Sequence, residues 1–365
     1  MTEDGASPSI LTEIYEEPDA IRATVEKCLP VAAELRQRFR PGSLRRVFLT
    51  GNGTSLYSCE FAANWYRAVA EPGDPVVVVL PAGELLHHPP TFGPDDVVLA
   101  LSASGEHRDV LRLAKRLRDQ VPVVGITQAA DSSLGRTIDV VVEAAGGRSH
   151  VPVMTKTFAS SASATVLATL ALAADTSLDT VGSALTDAAG RAESAIAAAA
   201  TTAERLGDEL AGFAHGFVFG TGGSVAAARE AALKLKEMAV IHTEGDATWE
   251  VESGSAIIID ERSFVVALRT EGPGSEATER LSQLSGEWGA RVVEVASEPA
   301  TDGSTLLPVP PGTPDLVAPL VLVPPVVMVA FHLAQARGLD PNRPDWTERY
   351  ARQGLNHVVG SEGGS

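Results

Sequence analysis

Cysteine, aromatic residues and positive charge are all scarce in this sequence, and each shortage removes a class of protein. Cys28 and Cys59 are the only cysteines among 365 residues. Two thiols cannot staple a disulfide scaffold or fill a cysteine-rich zinc site, and they suit a reducing, cytoplasmic setting. No cofactor or metal is expected. Aromatic residues make up 5% of the chain, while Ala, Val, Gly and Leu dominate, as in helices packed closely on buried parallel strands. Lys and Arg number 29 against 47 Asp and Glu, for a net charge of −18. Such a field repels phosphate backbones and anionic lipid, so no nucleic-acid or membrane partner is expected. Long hydrophobic runs are lacking as well. The longest, Val317 to Ala330, contains Pro319, Pro324 and Pro325 and falls short of the ~20 residues of a membrane helix. It reads as a buried strand followed by a helix that opens at the prolines. The start, MTEDGASPS, is acidic and has no basic-then-apolar signal pattern.

What the chain does have is an internal repeat. RRVFLTGNGTS runs an apolar strand into Gly51-Asn52-Gly53-Thr54-Ser55, and HGFVFGTGGS runs another into Gly220-Thr221-Gly222-Gly223-Ser224. The strand ending at Leu101 is answered by one ending at Leu268, and Val123 in VPVVGIT by Val292 in ARVVEVA. The landmarks recur in order at a nearly constant separation, which marks a duplicated domain.

In the first copy, strands are predicted near 46–50, 76–80, 97–101, 121–127 and 138–143, with helices between them, notably 56–70 and 107–120. Near-continuously apolar strands alternating with helices imply an α/β fold with a doubly wound parallel sheet covered on both faces. The chain divides into an N-terminal helical arm (1–40), a first domain (41–190), a second domain with a C-terminal segment (191–355) and a disordered tail (356–365). The Ala-rich stretch 158–210 reads as packing helices.

Ligands in such sheets bind beyond the carboxyl ends of the strands. Thr54 and Ser55 follow a glycine turn at a strand–helix junction, where backbone N–H groups and the helix dipole can face an anion. Ser102-Ala103-Ser104-Gly105-Glu106 forms a similar loop after the next strand. Taken singly, the first loop is explained by turn geometry and the second by Ser104 as a helix N-cap. Together, on one sheet edge, they point to a small phosphorylated ligand.

On these motifs the chain resembles the sugar isomerase (SIS) domain proteins. The likeness is to the tandem-domain isomerase half of glucosamine-6-phosphate synthase and to related amino-sugar-phosphate deaminases, ketose/aldose isomerases and deglycases. It begins at LTEIYEEPDAIRATV and runs through GNGTS, LSASGEHRDVLRLAKRL, VMTKTF, REAALKLKEMAVIHTEG and VPPVVMVAFHLAQARGLD. The resemblance implies two tandem SIS domains with flanking helices and a homodimer whose sites borrow a loop from the neighbouring subunit. It makes Ser55, Ser102 and Ser104 phosphate-gripping hydroxyls, and Thr155 and Lys156 the pair in the loop that closes the site.

Where the family has Gln between the second-loop serines and Thr beyond them, this chain has Ala103 and His107. An imidazole donor at His107 suits phosphate; an exposed helix start is the plainer reading. The family's Glu ahead of the Thr-Lys pair is Ser149 here.

Glu237 matches the family's proton-shuttling carboxylate, and Lys234, on the same helical face, is placed to stabilise an enediolate. An ordinary helix-surface ion pair with Glu230 is the alternative. Ser253 stands where the family has its ring-opening histidine, and Arg349 where the synthase has a carbonyl-engaging lysine. A hydroxyl does not exchange protons near neutral pH as imidazole does, and Arg forms no Schiff base. His242 matches a family position and is a substitute acid–base group or a core histidine. The residues ahead of the first strand are too few for a glutamine-hydrolysing domain. Two functions follow: a phosphosugar isomerase or amino-sugar-phosphate deaminase/deglycase, or a sugar-phosphate-binding regulator with a degenerate isomerase site.

Overall fold

The computed structural model describes residues 9–173 and 176–352; the tail expected to be disordered lies outside them. The chain forms two compact units. Among the described residues, one comprises those in Asp19–Ser149 and Lys156–Thr186 and those from Asp345 to Arg352; the other comprises those from Ser9 to Pro18, His150–Thr155 and Asp187–Pro344.

The chain starts with helices α1 (Ile10–Tyr15) and α2 (Glu17–Phe39). Ile10, Ile14 and Glu13 are buried in α1, and Glu17 and Ile21 in the first turns of α2. The first sheet then builds from β1 (Arg46–Gly51), α3 (Thr54–Val69), β2 (Val76–Pro81), α4 (Ala82–His87) and β3 (Asp96–Leu101). It is completed by α5 (Arg108–Leu117), β4 (Val123–Thr127), α6 (Ser133–Thr137) and β5 (Val140–Glu143). All five strands are parallel, in the order β2-β1-β3-β4-β5. Every residue of β3 and β4 is buried, which is why those runs lack polar alternation. β4 starts after Pro122, which has no N–H for a ladder.

Helices α7 (Lys156–Leu170) and α8 (Leu178–Leu210) take up the Ala-rich stretch. In α7 every residue from Thr157 to Leu170 is buried. Small Ala and Ser side chains let it lie close on α3.

The second sheet repeats the plan with β6 (His215–Gly220), α9 (Ser224–Ala239), β7 (His242–Ala247), α10 (Thr248–Ser253) and β8 (Ser263–Leu268). α11 (Ser275–Glu287), β9 (Arg291–Ala296) and β10 (Thr305–Pro308) finish it. Its order, β10-β9-β8-β6-β7, is that of the first sheet under the repeat, again all parallel. The duplication read from sequence is thus a duplication of topology.

α12 (Ala318–Ala336) packs on α9, and α13 (Asp345–Arg352) follows. The strand expected in Val317–Ala330 is not there. The run is helical throughout, with Pro324 and Pro325 inside α12. Nearly all of α12 is buried, so tertiary packing overrides the strand preference of its valines and the prolines' missing N–H groups. By length and composition the segment Asp315–Ala336 would span a membrane, but 89% of its most apolar stretch is buried inside the fold. That is the burial of a core helix.

Candidate functional site

The first sheet unit assembles the serine loops at the carboxyl ends of β1 and β3. A Cβ at Gly51 would lie 2.7 Å from Ser55 Cβ and 3.2 Å from the Leu101 carbonyl oxygen. Only glycine lets the N-terminus of α3 close this tightly on the end of β3. Gly53 follows with φ 54°, a left-handed turn that a side chain would strain. Thr54 and Ser55 are buried at the first turn of α3.

In the second loop, Ser102 is buried, its N–H donates to the Ile126 carbonyl at 3.0 Å, and its Oγ accepts from the His107 N–H at 3.3 Å. Ser104 is exposed, and its Oγ accepts from the Glu106 N–H at 3.1 Å. α5 begins only at Arg108, with His107 flanking it and no side-chain cap. Ser104 therefore shapes the loop ahead of the helix and does not cap it. A Cβ at Gly105 (φ 69°) would meet Ser132 Oγ at 2.0 Å, so the loop lies flat against the neighbouring segment. Glycine turns, hydroxyls and a helix N-terminus at one edge are groups that can donate to an anion.

The other unit holds a buried charge cluster on α9. Lys234 Nζ lies 3.1 Å from Glu230 and 2.8 Å from Glu237. The side chains of Lys234 and Glu230 are 1% and 0% exposed, whereas that of Glu237 is 24% exposed. Burial draws the Lys234 pKa down, but the two carboxylates outweigh it and hold the ammonium above its ordinary value. Glu17, from the start of α2, is buried in the same field. Burial pushes its carboxyl well above the usual range, Glu230 and Glu13 add to the effect, and Lys234 opposes it. Glu13 is tied down separately: its Oε1 accepts from the His150 N–H at 2.9 Å and its Oε2 from Thr155 Oγ at 3.2 Å. Thr155 is buried, and Lys156 opens α7 half-buried.

Three expected residues stand apart from this cluster's burial. Ser253, the last residue of α10, is exposed and donates to the Trp249 carbonyl at 2.7 Å, an i to i−4 bond that engages the hydroxyl. His242 is exposed at the first residue of β7, so it is no core histidine. Arg349 is exposed on α13, its guanidinium 5.9 Å from the Tyr350 ring centre.

Among the described residues no group of three or more His, Cys, Asp or Glu is arranged to hold a metal. A cleft of about 570 Å³, lined by Arg38, Arg118 and Asp139, opens at the amino ends of β4 and β5. That is the opposite edge of the sheet from the serine loops.

Comparison with known proteins settles the family. The SIS domain family matches residues 43–174 and 210–305, one segment in each repeat. The chain belongs to the SIS domain family. It is 31% identical over 351 residues to the glutamine–fructose-6-phosphate aminotransferase (isomerizing) of Aeropyrum pernix, covering 92% of this chain and 55% of that protein. The Gloeobacter violaceus protein of the same name is 30% identical, covering 92% and 57%. The chain thus spans little more than half the length of these relatives. Among solved SIS structures, the C-terminal domain of glucosamine-fructose-6-phosphate aminotransferase from Francisella tularensis superposes with a TM-score of 0.84 at 23% identity, over 94% of this chain and 100% of that one. Tagatose-6-phosphate ketose/aldose isomerase from Escherichia coli gives 0.76 at 20% identity, over 92% and 98%. These likenesses establish the tandem SIS fold.

Sequence reasoning missed Glu13 and Glu17 as part of the SIS cluster. The signal was available: two carboxylates interleaved with the apolar residues Ile10, Ile14 and Ile21.

Proposed function

We propose that this SIS protein is a phosphosugar isomerase or an amino-sugar-phosphate deaminase or deglycase. It works by enediol-type or enediolamine-type proton transfer on a ketose or amino-sugar phosphate. The observation that carries the reading is the Glu230–Lys234–Glu237 array. Glu237 is the member that keeps contact with solvent, and its hydrogen bond to a buried ammonium suits a base that takes a carbon-bound proton and returns it to the adjacent carbon. Lys234 offsets the negative charge that develops on the sugar oxygen. Thr54, Ser55, Ser102, Ser104 and His107 grip the phosphate, and Thr155 and Lys156 close over it. The relatives' names support the substrate class, since they pair fructose 6-phosphate, tagatose 6-phosphate and isomerisation with this fold.

The protein works in the cytoplasm as a homodimer. Ile257, Ile258 and Trp249 are 85%, 54% and 51% exposed around the segment that carries Ser253, and a second subunit would cover such side chains. A sedimentation mass of one chain at micromolar concentration would contradict this.

A second reading, a sugar-phosphate-binding regulator, draws on the exposed, engaged Ser253 in place of the family's ring-opening histidine and on the exposed Arg349 in place of the carbonyl-engaging lysine. Incubation with fructose 6-phosphate and glucosamine 6-phosphate in deuterated water separates the two. Deuterium at C1 or C2 is expected for the enzyme. Binding without exchange across a panel of ketose phosphates would favour the regulator.

A further inference from the structure

The second repeat has the loop pair of the first, and its own chain fills it. A Cβ at Gly220 would meet Ser224 Cβ at 2.6 Å and the Leu268 carbonyl at 2.9 Å, the same contacts that Gly51 makes with Ser55 and Leu101. Gly222 has φ 56° where Gly53 has φ 54°. In this repeat, however, the carboxylate of Asp315, at the lead-in to α12, lies in the loop pair. Its Oδ2 accepts from the Gly223 N–H at 2.7 Å and its Oδ1 from Thr270 Oγ at 3.1 Å. The β6–α9 and β8–α11 loops therefore both donate to one carboxylate. A Cβ at Gly222 would stand 2.3 Å from Asp315 Oδ2, so the anion sits as near the backbone as a residue without a side chain allows. Next to Gly223, Ser224 is 1% exposed and its Oγ has no hydrogen-bond partner among the described residues. A hydroxyl buried at a helix N-terminus with nothing to bind is costly, and an oxyanion larger than a carboxylate would satisfy it.

We infer that Asp315 is an internal anion closing a second phosphate-type nest, and that without its carboxylate the nest takes a free tetrahedral oxyanion. A carboxylate supplied by the chain itself pays no translational cost of association, so free phosphate esters compete poorly against it. The wild-type chain is thereby limited to whatever the first repeat binds. The inference shares with the proposed function only the idea that such loops hold phosphate; its observations all lie in the second repeat.

The test is titration calorimetry with inorganic phosphate on the wild type, Asp315→Ala, Asp315→Asn and the Ser102→Ala/Asp315→Ala double variant. Asp315→Ala is expected to bind one phosphate per chain more than the wild type, whatever the wild-type number. Asp315→Asn, which still fills the space, should gain none. The double variant should keep the added site. Loss of all binding in the wild type would sink the reading of the first repeat and leave this difference intact. Equal stoichiometry in the wild type and folded Asp315→Ala overturns the inference. Should Asp315→Ala fail to fold in phosphate-free buffer, its circular dichroism must recover on addition of phosphate; no recovery also overturns it.

Discussion

Glu237 accepts a 2.8 Å hydrogen bond from Lys234, one helical turn behind it on α9. The lysine is sealed in the protein and the glutamate reaches outward. The pair therefore couples a permanent buried positive charge to a carboxylate within reach of solvent. Because the folded-state pKa of Lys234 is raised, its contribution to stability is fully present below the ordinary lysine value. It is lost only as pH climbs through the raised one.

Replacing Lys234 by Met should be strongly destabilising, by about 3–5 kcal/mol, since it leaves the buried Glu230 carboxylate without its counter-ion. Urea unfolding measures the loss. The same method should find Glu237→Gln much milder, because the partly exposed amide stays hydrated and Lys234 keeps Glu230 as its counter-ion. Equal costs would mean that the lysine, not Glu230, is the group whose burial matters.

Glu237→Gln separates chemistry from binding. Turnover on the sugar phosphate identified by isotope exchange should fall on the order of 10²–10⁴-fold, the usual share of a general base. Affinity for the phosphate ester should stay within a factor of about two, since the amide keeps size and polarity. Unchanged turnover would remove Glu237 from the reaction and make His242 the next residue to test.

Ser102→Ala should weaken sugar-phosphate binding by about 1–3 kcal/mol and Ser104→Ala by no more, because each removes a hydroxyl donor. The structure separates the two variants. Ser102 is buried and braces the His107 N–H, so its loss should also lower the melting temperature, whereas exposed Ser104 should leave it unchanged. Equal affinity of the wild type for a sugar and its phosphate ester would reduce both serines to loop geometry.

Glu17 should make stability depend on pH. With its carboxyl raised by burial and by Glu230 and Glu13, against Lys234, the folded state holds a proton that the unfolded chain releases. Stability then falls as pH rises from the ordinary carboxylate range toward the raised value. Glu17→Gln should be the more stable protein at neutral pH, and the gap should close below about pH 4. Parallel melting curves for the two proteins from acid to neutral pH would show that Glu17 carries no such cost.

The repeat, both sheets and the serine loops could be read in the sequence because apolar strands and glycine turns are local signals. α12 could not: Val317–Ala330 has the composition of a strand, and only its burial against α9 makes it a helix. The charge cluster was half legible. Glu230, Lys234 and Glu237 share a helix and a period, but Glu17, with Glu13 beside it, enters their field from far along the chain. Asp315 was not legible, since no local pattern says which distant carboxylate ends at Gly223. His242 shows the limit from the other side. Its apolar neighbour Ile241 is buried, yet the histidine itself begins an edge strand and is exposed.

The matched glycine contacts of the two repeats, Gly51 with Ser55 and Gly220 with Ser224, also bear on heredity. Duplication left two copies of one backbone solution, and both glycines remain irreplaceable for the same steric reason. The positions beside them have stopped being interchangeable. In the second copy a substitution must also accommodate Asp315, whose carboxylate the Gly223 N–H and the Thr270 hydroxyl hold. Symmetry of shape is thus not symmetry of constraint, and equivalent substitutions in the two halves should be inherited with unequal costs in stability.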